Sequence, residues 1–288
     1  MDLIKSKRII GVDLGGTKVE AGLIDGTDII KKKYSLIDNK SEDPLVVVKQ
    51  IIDVISDLFD ETVEGIGIGV PSFVDRQKGI VYHVQNIPSW KEIHLSDILQ
   101  KEFNVPVYLD NDANCFAYGE YKFGQGKQCD NFVGVTIGTG MGSGIITNGH
   151  LLKDANCGSG EFGSIPYLDK TYEDYCSGKY FKTFYNTTGE NLLKKAKNGD
   201  HKAIDAFNNF GNHLGNAIKT IMFSVDPKMI IIGGSVSKSK EFFINSMTNS
   251  IKKFPSAESF KNLEVKFTNT QNIAILGAAS IFFDRTNS

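Results

Sequence analysis

No two cysteines in this chain of 288 residues form a C-x-x-C pair. Cys115, Cys129, Cys157 and Cys176 are dispersed, which excludes a zinc ribbon and reads as four reduced thiols. The five histidines are equally scattered, and an isolated histidine is more often a structural or surface residue than a ligand. No apolar run approaches the roughly 18 residues of a membrane span, and the first residues lack the apolar core of a secretory signal. A cytoplasmic protein with no membrane partner is the expectation. Charge of one sign is also missing. The net charge is −2 at pH 7 and, apart from Lys31-Lys32-Lys33, the cations are spread along the chain, so no nucleic-acid partner is expected. No low-complexity linker interrupts a sequence long enough for about two domains.

What is present alternates strand and helix. Residues 8–14, 19–24 and 29–34 read as a three-stranded meander turned at Gly15-Gly16 and Asp25-Gly26. Residues 44–59 carry Val47, Ile51, Ile52, Ile55 and Leu58 at helical spacing, and 65–70 read as a buried strand. A helix near 96–103 and a strand over 105–109 follow, which makes the sheet mixed and the class α/β. In the second half, helices are expected over 174–186, 189–197, 201–224 and 240–253, with strands at 229–232 and 263–267. A final helix over 273–283 carries Gly277, Ala278 and Ala279, which permit close packing.

Residues 11–15, Gly-Val-Asp-Leu-Gly, are echoed 123 positions later by residues 134–138, Gly-Val-Thr-Ile-Gly. Both segments read as strand, glycine turn, strand, and the second opens a half of similar length, which points to a duplication.

Glycine turns after buried strands present backbone N–H groups that suit phosphates. "DLGGTK" could be a plain hairpin turn, yet Asp13 at the end of a core strand is costly unless it meets a cation. A hydrated magnesium ion fits there, with Gly15 and Gly16 as the cradle and Thr17 and Lys18 beside phosphate oxygens. "TIGTGMGSG" offers a second cradle at Gly138, Thr139 and Gly140. "IIIGGSVS" reaches Gly233 and Gly234 before a helix, either as a simple connection or to receive the outer part of a nucleotide.

"LDNDANC", residues 109–115, ends a strand and begins a helix, so Asn111 and Asp112 could serve as caps. Three successive polar side chains, Asp110, Asn111 and Asp112, exceed what one cap needs. A carboxylate at a helix N-terminus stays ionised and can accept a hydroxyl proton during phosphoryl transfer. Asp112 is therefore the candidate general base, with Asn111 orienting the alcohol. Glu161 in "GSGEFGS" and Glu173 in "TYEDYCSG" are either a solvated loop acid and a first-turn helix acid, or a pair of acceptors for sugar hydroxyls.

Taken in order, "DLGGTK", "GIGVPSFVD", "NIPSW", "LDNDANCFAYGE", "TIGTGMGSG", "GEFGS" and "IIIGGSVS" resemble the ROK family of sugar kinases over essentially the whole chain. The resemblance implies a two-domain actin-like (ribonuclease H-like) ATPase fold, with a duplicated, hairpin-containing mixed sheet and a central cleft. It implies an N-terminal α/β domain over 1–113, completed by the C-terminal helix 273–288, and a larger C-terminal α/β domain over 114–272. It also implies ATP and Mg²⁺ as cofactors, Asp112 as catalytic base, sugar contacts from Asn86, Asn111, Asp112, Glu161 and Glu173, and a homodimer.

Two departures bear on the substrate. The family's sugar loop usually reads Gly-Glu-x-Gly-His, and here Ser164 takes the place of the histidine. The Cys-x-Cys-Gly-x-x-Gly-Cys cluster that follows in the family is absent, so no zinc is expected. Phosphorylation of a hexose, glucose O6 foremost, is the implied activity. A kinase for N-acetylmannosamine or N-acetylglucosamine is the alternative, because Ser164 leaves room near the sugar ring. Regulators of the family carry a helix-turn-helix domain, which is not expected ahead of a hairpin that begins by Arg8. A non-catalytic sugar sensor is a weaker reading still.

Overall fold

A computed structural model describes residues 7–153 and 155–286. The chain begins with β1 (Arg8–Leu14), β2 (Lys18–Asp25), β3 (Asp28–Leu36), α1 (Pro44–Ser56) and β4 (Val63–Val70). Then come β5 (Phe73–Asp75), β6 (Ile80–Tyr82), β7 (Glu92–Ile93), α2 (Leu95–Phe103), β8 (Val107–Asn111) and α3 (Asp112–Phe123). The echo supplies β9 (Phe132–Ile137), β10 (Met141–Thr147) and β11 (His150–Leu151). After β12 (Pro166–Tyr167) and β13 (Lys170–Thr171) come α4 (Tyr172–Cys176), α5 (Gly178–Tyr185), α6 (Gly189–Lys197) and α7 (His201–Val225). The chain closes with β14 (Met229–Gly233), α8 (Lys240–Ile251), α9 (Ala257–Asn262), β15 (Glu264–Phe267) and α10 (Ile273–Thr286).

The two large sheets run β3-β2-β1-β4-β8 and β11-β10-β9-β14-β15. In each, a hairpin is followed by two parallel strands in the same order. The duplication read from five residues is thus a duplication of topology, and the strands after both glycine turns keep the 123-residue offset. This is the α/β, actin-like arrangement that the resemblance implies.

Two compact units divide the chain: 1–130 with 146–159 and 269–288, and 131–145 with 160–268. The boundary expected after residue 113 lies further on, and the first unit is the larger. The reason is α3, which buries Ala113, Cys115, Phe116 and Ala117 in the first unit and crosses α10 closely. A Cβ on Gly119 would stand 2.7 Å from the Gly277 Cα.

Strand alternation sorts the first sheet's two faces. Ile10, Val12 and Leu14 join α1, through Val47, Val48, Ile51, Val54 and Ile55, in one core. Ile9 packs with Ile275, Ala279 and Phe282 of α10 on the other face. There the helix backbone nearly touches the sheet, for a Cβ on Gly67 would meet the Ala278 carbonyl oxygen at 2.0 Å. Asp13 shares the parity of Ile9 and so emerges on the α10 side.

Differences from the sequence expectation bear on the site. Strand β8 runs to Asn111 rather than stopping at 109, because Asp110 and Asn111 pair with Gly69 and Val70 of β4 despite their poor strand propensity. The helix expected over 174–186 breaks at Ser177, whose backbone is extended. Residues 71–93, given no element from the sequence, form the small antiparallel sheet β5-β6-β7.

Candidate active site

In the first unit, Asp13 pairs with Gly69 across β1 and β4, and Gly69 pairs with Asp110 across β4 and β8. Three parallel strands therefore end on one rung, with a carboxylate on either side of a glycine. The carboxyl ends of such strands are where open α/β sheets bind ligands. Among the described residues no side-chain or backbone group donates a hydrogen bond to the Asp13 carboxylate. Burial, with help from Glu20 and opposed by Lys18, pushes its carboxyl up to about 6. An acceptor this costly to ionise suits a divalent cation. Among the described residues no group of three or more His, Cys, Asp or Glu could hold a metal. Lys18, read as a phosphate contact, has its ammonium on Glu20 at 2.8 Å, and Thr17 is exposed. Gly15 closes the turn by donating its N–H to the Lys18 carbonyl at 2.8 Å.

Asp110 is 1% exposed and accepts hydrogen bonds from the Asn111 N–H and from Asn114 Nδ2, both at 2.8 Å. Its charge faces Arg76 Nη1 at 3.4 Å and Arg285 Nη2 at 4.0 Å. Arg76 in turn donates to the Leu152 carbonyl at 2.9 Å. Burial raises the Asp110 carboxyl, and Arg76 and Asn114 pull it back. Asn111 caps α3 by accepting the Ala113 N–H at 2.9 Å and donates from Nδ2 to the Ser72 carbonyl at 3.1 Å. Both ends of its amide are thereby fixed in orientation. Asp112 opens α3 with its side chain exposed. Buried Cys115 registers how closely the acids gather: burial first, then Asp110, Asp112 and Asp13, drive its thiol well above the ordinary value. Asn86, exposed on the turn between β6 and β7, lies against the first glycine turn, where a Cβ on Gly16 would come within 2.8 Å of it.

In the second unit, the Gly138 N–H closes its hairpin onto the Gly140 carbonyl at 3.0 Å. The break at Ser177 serves this turn. The Ser177 hydroxyl donates to the Thr139 carbonyl at 3.0 Å and the Gly178 N–H to the Gly138 carbonyl at 2.8 Å. Glu173 accepts the Met141 N–H at 3.0 Å and pairs with Lys179 at 2.5 Å. A Cβ on Gly140 would stand 2.5 Å from this carboxylate, so the missing side chain at 140 makes room for Glu173. Glu161 precedes a short 3₁₀ turn, with the exposed Ser164 hydroxyl 3.5 Å away. Burial raises the Glu161 carboxyl, Ser164 lowers it, and the neighbouring Glu173 charge raises it further.

Where the resemblance would place a cysteine cluster, aromatic side chains hold the segment between Glu161 and Glu173. Tyr167 stacks on Tyr172 at 4.3 Å, Asn216 donates to the Tyr167 hydroxyl at 2.9 Å, and the Tyr172 and Thr220 hydroxyls meet at 2.7 Å. Those contacts tie the loop to α7.

A cavity of about 300 Å³ opens beside the second turn, lined by Gly138, Thr139, Lys179, Phe181, Leu193 and Val236 among others. It combines backbone, ammonium groups and apolar walls, which suits a nucleotide. Gly233 ends β14, and Gly234 turns the chain with φ of 88° toward Ser235, which also lines the cavity. The structure thus gathers Asp13, Gly15, Gly16, Asn86, Asn111 and Asp112 in one unit, and Gly138–Gly140, Glu161, Ser164, Glu173, Gly233 and Gly234 in the other. Sequence reasoning missed Arg76 and Lys179. A signal for the first was present, since a carboxylate at the end of a buried strand requires a cation; nothing local marked the second.

The sequence profile of the ROK family matches residues 9–285. A glucokinase of Thermotoga maritima is 30% identical over 96% of this chain and 98% of that protein. A xylose repressor of Bacillus subtilis is 29% identical over 96% of this chain and 77% of the repressor. Among solved structures, a ROK family glucokinase from Streptomyces griseus in complex with glucose and AMPPNP superposes with a TM-score of 0.80. It is 28% identical and the match covers 95% of this chain and 98% of that one.

Proposed function

The chain belongs to the ROK family, and from that premise we propose that it is an ATP-dependent sugar kinase acting on a hexose hydroxyl, glucose O6 foremost. The observation that carries the reading is the grouping of Asp112, oriented Asn111 and cation-seeking Asp13 at the carboxyl ends of three strands. The nucleotide-sized cavity of the second unit supports it. Asp112 takes the proton as the sugar oxygen attacks the γ-phosphorus and the bond to the bridging oxygen of ADP breaks. Asn111 holds the hydroxyl in line, and Asn86, Glu161 and Glu173 bind the remaining hydroxyls. Gly15, Gly16, Thr17 and Lys18, with Gly138, Thr139 and Gly140, are assigned to the phosphates, and Gly233 and Gly234 to the outer nucleotide. Asp13 would hold Mg²⁺, which when bound would supply charge neutralisation to the phosphates.

Ser164 favours a second acceptor class. Its short, exposed side chain stands where an imidazole is usual in the family, and the space suits the acetamido group of N-acetylmannosamine or N-acetylglucosamine. A coupled ADP-release assay with glucose, fructose, N-acetylglucosamine and N-acetylmannosamine decides between them. Turnover with one strongly preferred sugar is expected. Sugar binding with no turnover on any of the four would replace the kinase reading by a sensor.

The Asp13 carboxyl also predicts a linkage. Because folding raises it from 3.8 to about 6, the unfolded chain holds fewer protons between those values, and metal-free stability falls as pH rises across that window. Melting at about pH 7.5 should shift upward with Mg²⁺ and shift little at about pH 5, where Asp13 is protonated. Asp13→Asn should melt higher than the wild type without metal, lose the Mg²⁺ response and lose turnover. A Mg²⁺ response intact in the variant would remove Asp13 from the metal site.

A further inference from the structure

Lys179 stands between two sites that the sugar kinase reading keeps separate. Its ammonium pairs with Glu173 Oε1 at 2.5 Å, with the two side chains 40% and 31% exposed. The same lysine lines the cavity beside Gly138 and Thr139. The other Glu173 oxygen, Oε2, accepts the Met141 N–H at 3.0 Å, next to the glycine turn. Both carboxylate oxygens are therefore engaged by groups on the nucleotide side, although Glu173 is assigned to a sugar hydroxyl. A lysine is a point charge on a flexible stem that can exchange one anion for another, and a bound triphosphate carries more charge than one carboxylate.

We propose that Lys179 is shared between Glu173 and the nucleotide phosphates, so that nucleotide binding draws the ammonium away and frees Glu173 to accept a sugar hydroxyl. This rests on the kinase reading above and adds to it a coupling between the two substrates. The coupling is reciprocal, since whatever nucleotide gains from sugar, sugar gains from nucleotide.

Calorimetric titration of the whole protein with AMPPNP and Mg²⁺ tests the sharing without requiring turnover. Lys179→Met should weaken AMPPNP about tenfold, and Lys179→Arg should restore most of the loss. Glu173→Gln should tighten AMPPNP about fivefold by releasing the lysine. The decisive variant is the double one. If Glu173 acts through Lys179, Glu173→Gln has no effect in the Lys179→Met background. Tightening that persists there marks general charge repulsion and overturns the proposal, as does no tightening in the single variant. A wild type that binds no AMPPNP overturns the nucleotide reading itself, whereas tight binding without these differences removes only the sharing.

Discussion

Asp112→Asn should lower kcat by about 10³-fold while leaving the Kd for AMPPNP within about twofold of wild type. The amide has the shape of the carboxylate and can still occupy the first turn of α3, but it cannot take the hydroxyl proton. Nucleotide affinity should persist because the residues that line the cavity, from Gly138 and Thr139 to Lys238 and Ser239, all belong to the second unit and Asp112 is not among them. Helix α3 should also survive, since its cap is Asn111 and not Asp112. Single-turnover kinetics alongside AMPPNP titration separate the two effects. A kcat within tenfold of wild type would remove Asp112 from its role as base.

Arg76→Ala should cost about 3 kcal/mol or more of stability, read by urea unfolding. Asp110 is 1% exposed, and losing Arg76 leaves Arg285 at 4.0 Å as its cation among the described residues. Arg285 is a weak substitute, because at 4.0 Å its Nη2 makes no hydrogen bond to the carboxylate. The variant also removes the bond to the Leu152 carbonyl. Asp110→Asn in the same chain should recover part of the loss, since the uncompensated charge is then gone. Activity should fall together with stability, because Asp110 accepts the N–H of Asn111, the residue that caps α3 and leads into Asp112. A cost below about 1 kcal/mol, with Asp110→Asn giving no recovery, would show that water reaches the pair.

The candidate site was legible where chemistry is written in consecutive residues. "DLGGTK" and "LDNDANC" each combine a strand end with a polar group that the strand itself does not need, and the structure puts them at the carboxyl ends of β1 and β8, the two strands that flank β4. Gly16 and Gly140 were read as room for phosphate, yet part of that room is taken by Asn86 and Glu173. Lys18 looked like a phosphate ligand and rests on Glu20 two residues away, because side chains two apart on a strand lie on the same face.

Alternating and helical hydrophobic periods by themselves determined most elements, and the 123-residue echo determined that one topology is used twice. Such signals are local or self-similar, and they survive in the order of residues. Only the tertiary structure decided that α3 belongs to the first unit, that the helix breaks at Ser177, and that β8 extends through Asp110 and Asn111. Each of these overrides a local preference with a distant partner: Gly277 beneath α3, the Thr139 carbonyl under Ser177, and Gly69 and Val70 beside β8. The pairing of Asp110 with Arg76, and of Glu173 with Lys179 across a turn of broken helix, is of the same kind. A charge can announce that it needs a partner, but the folded chain determines which partner reaches it.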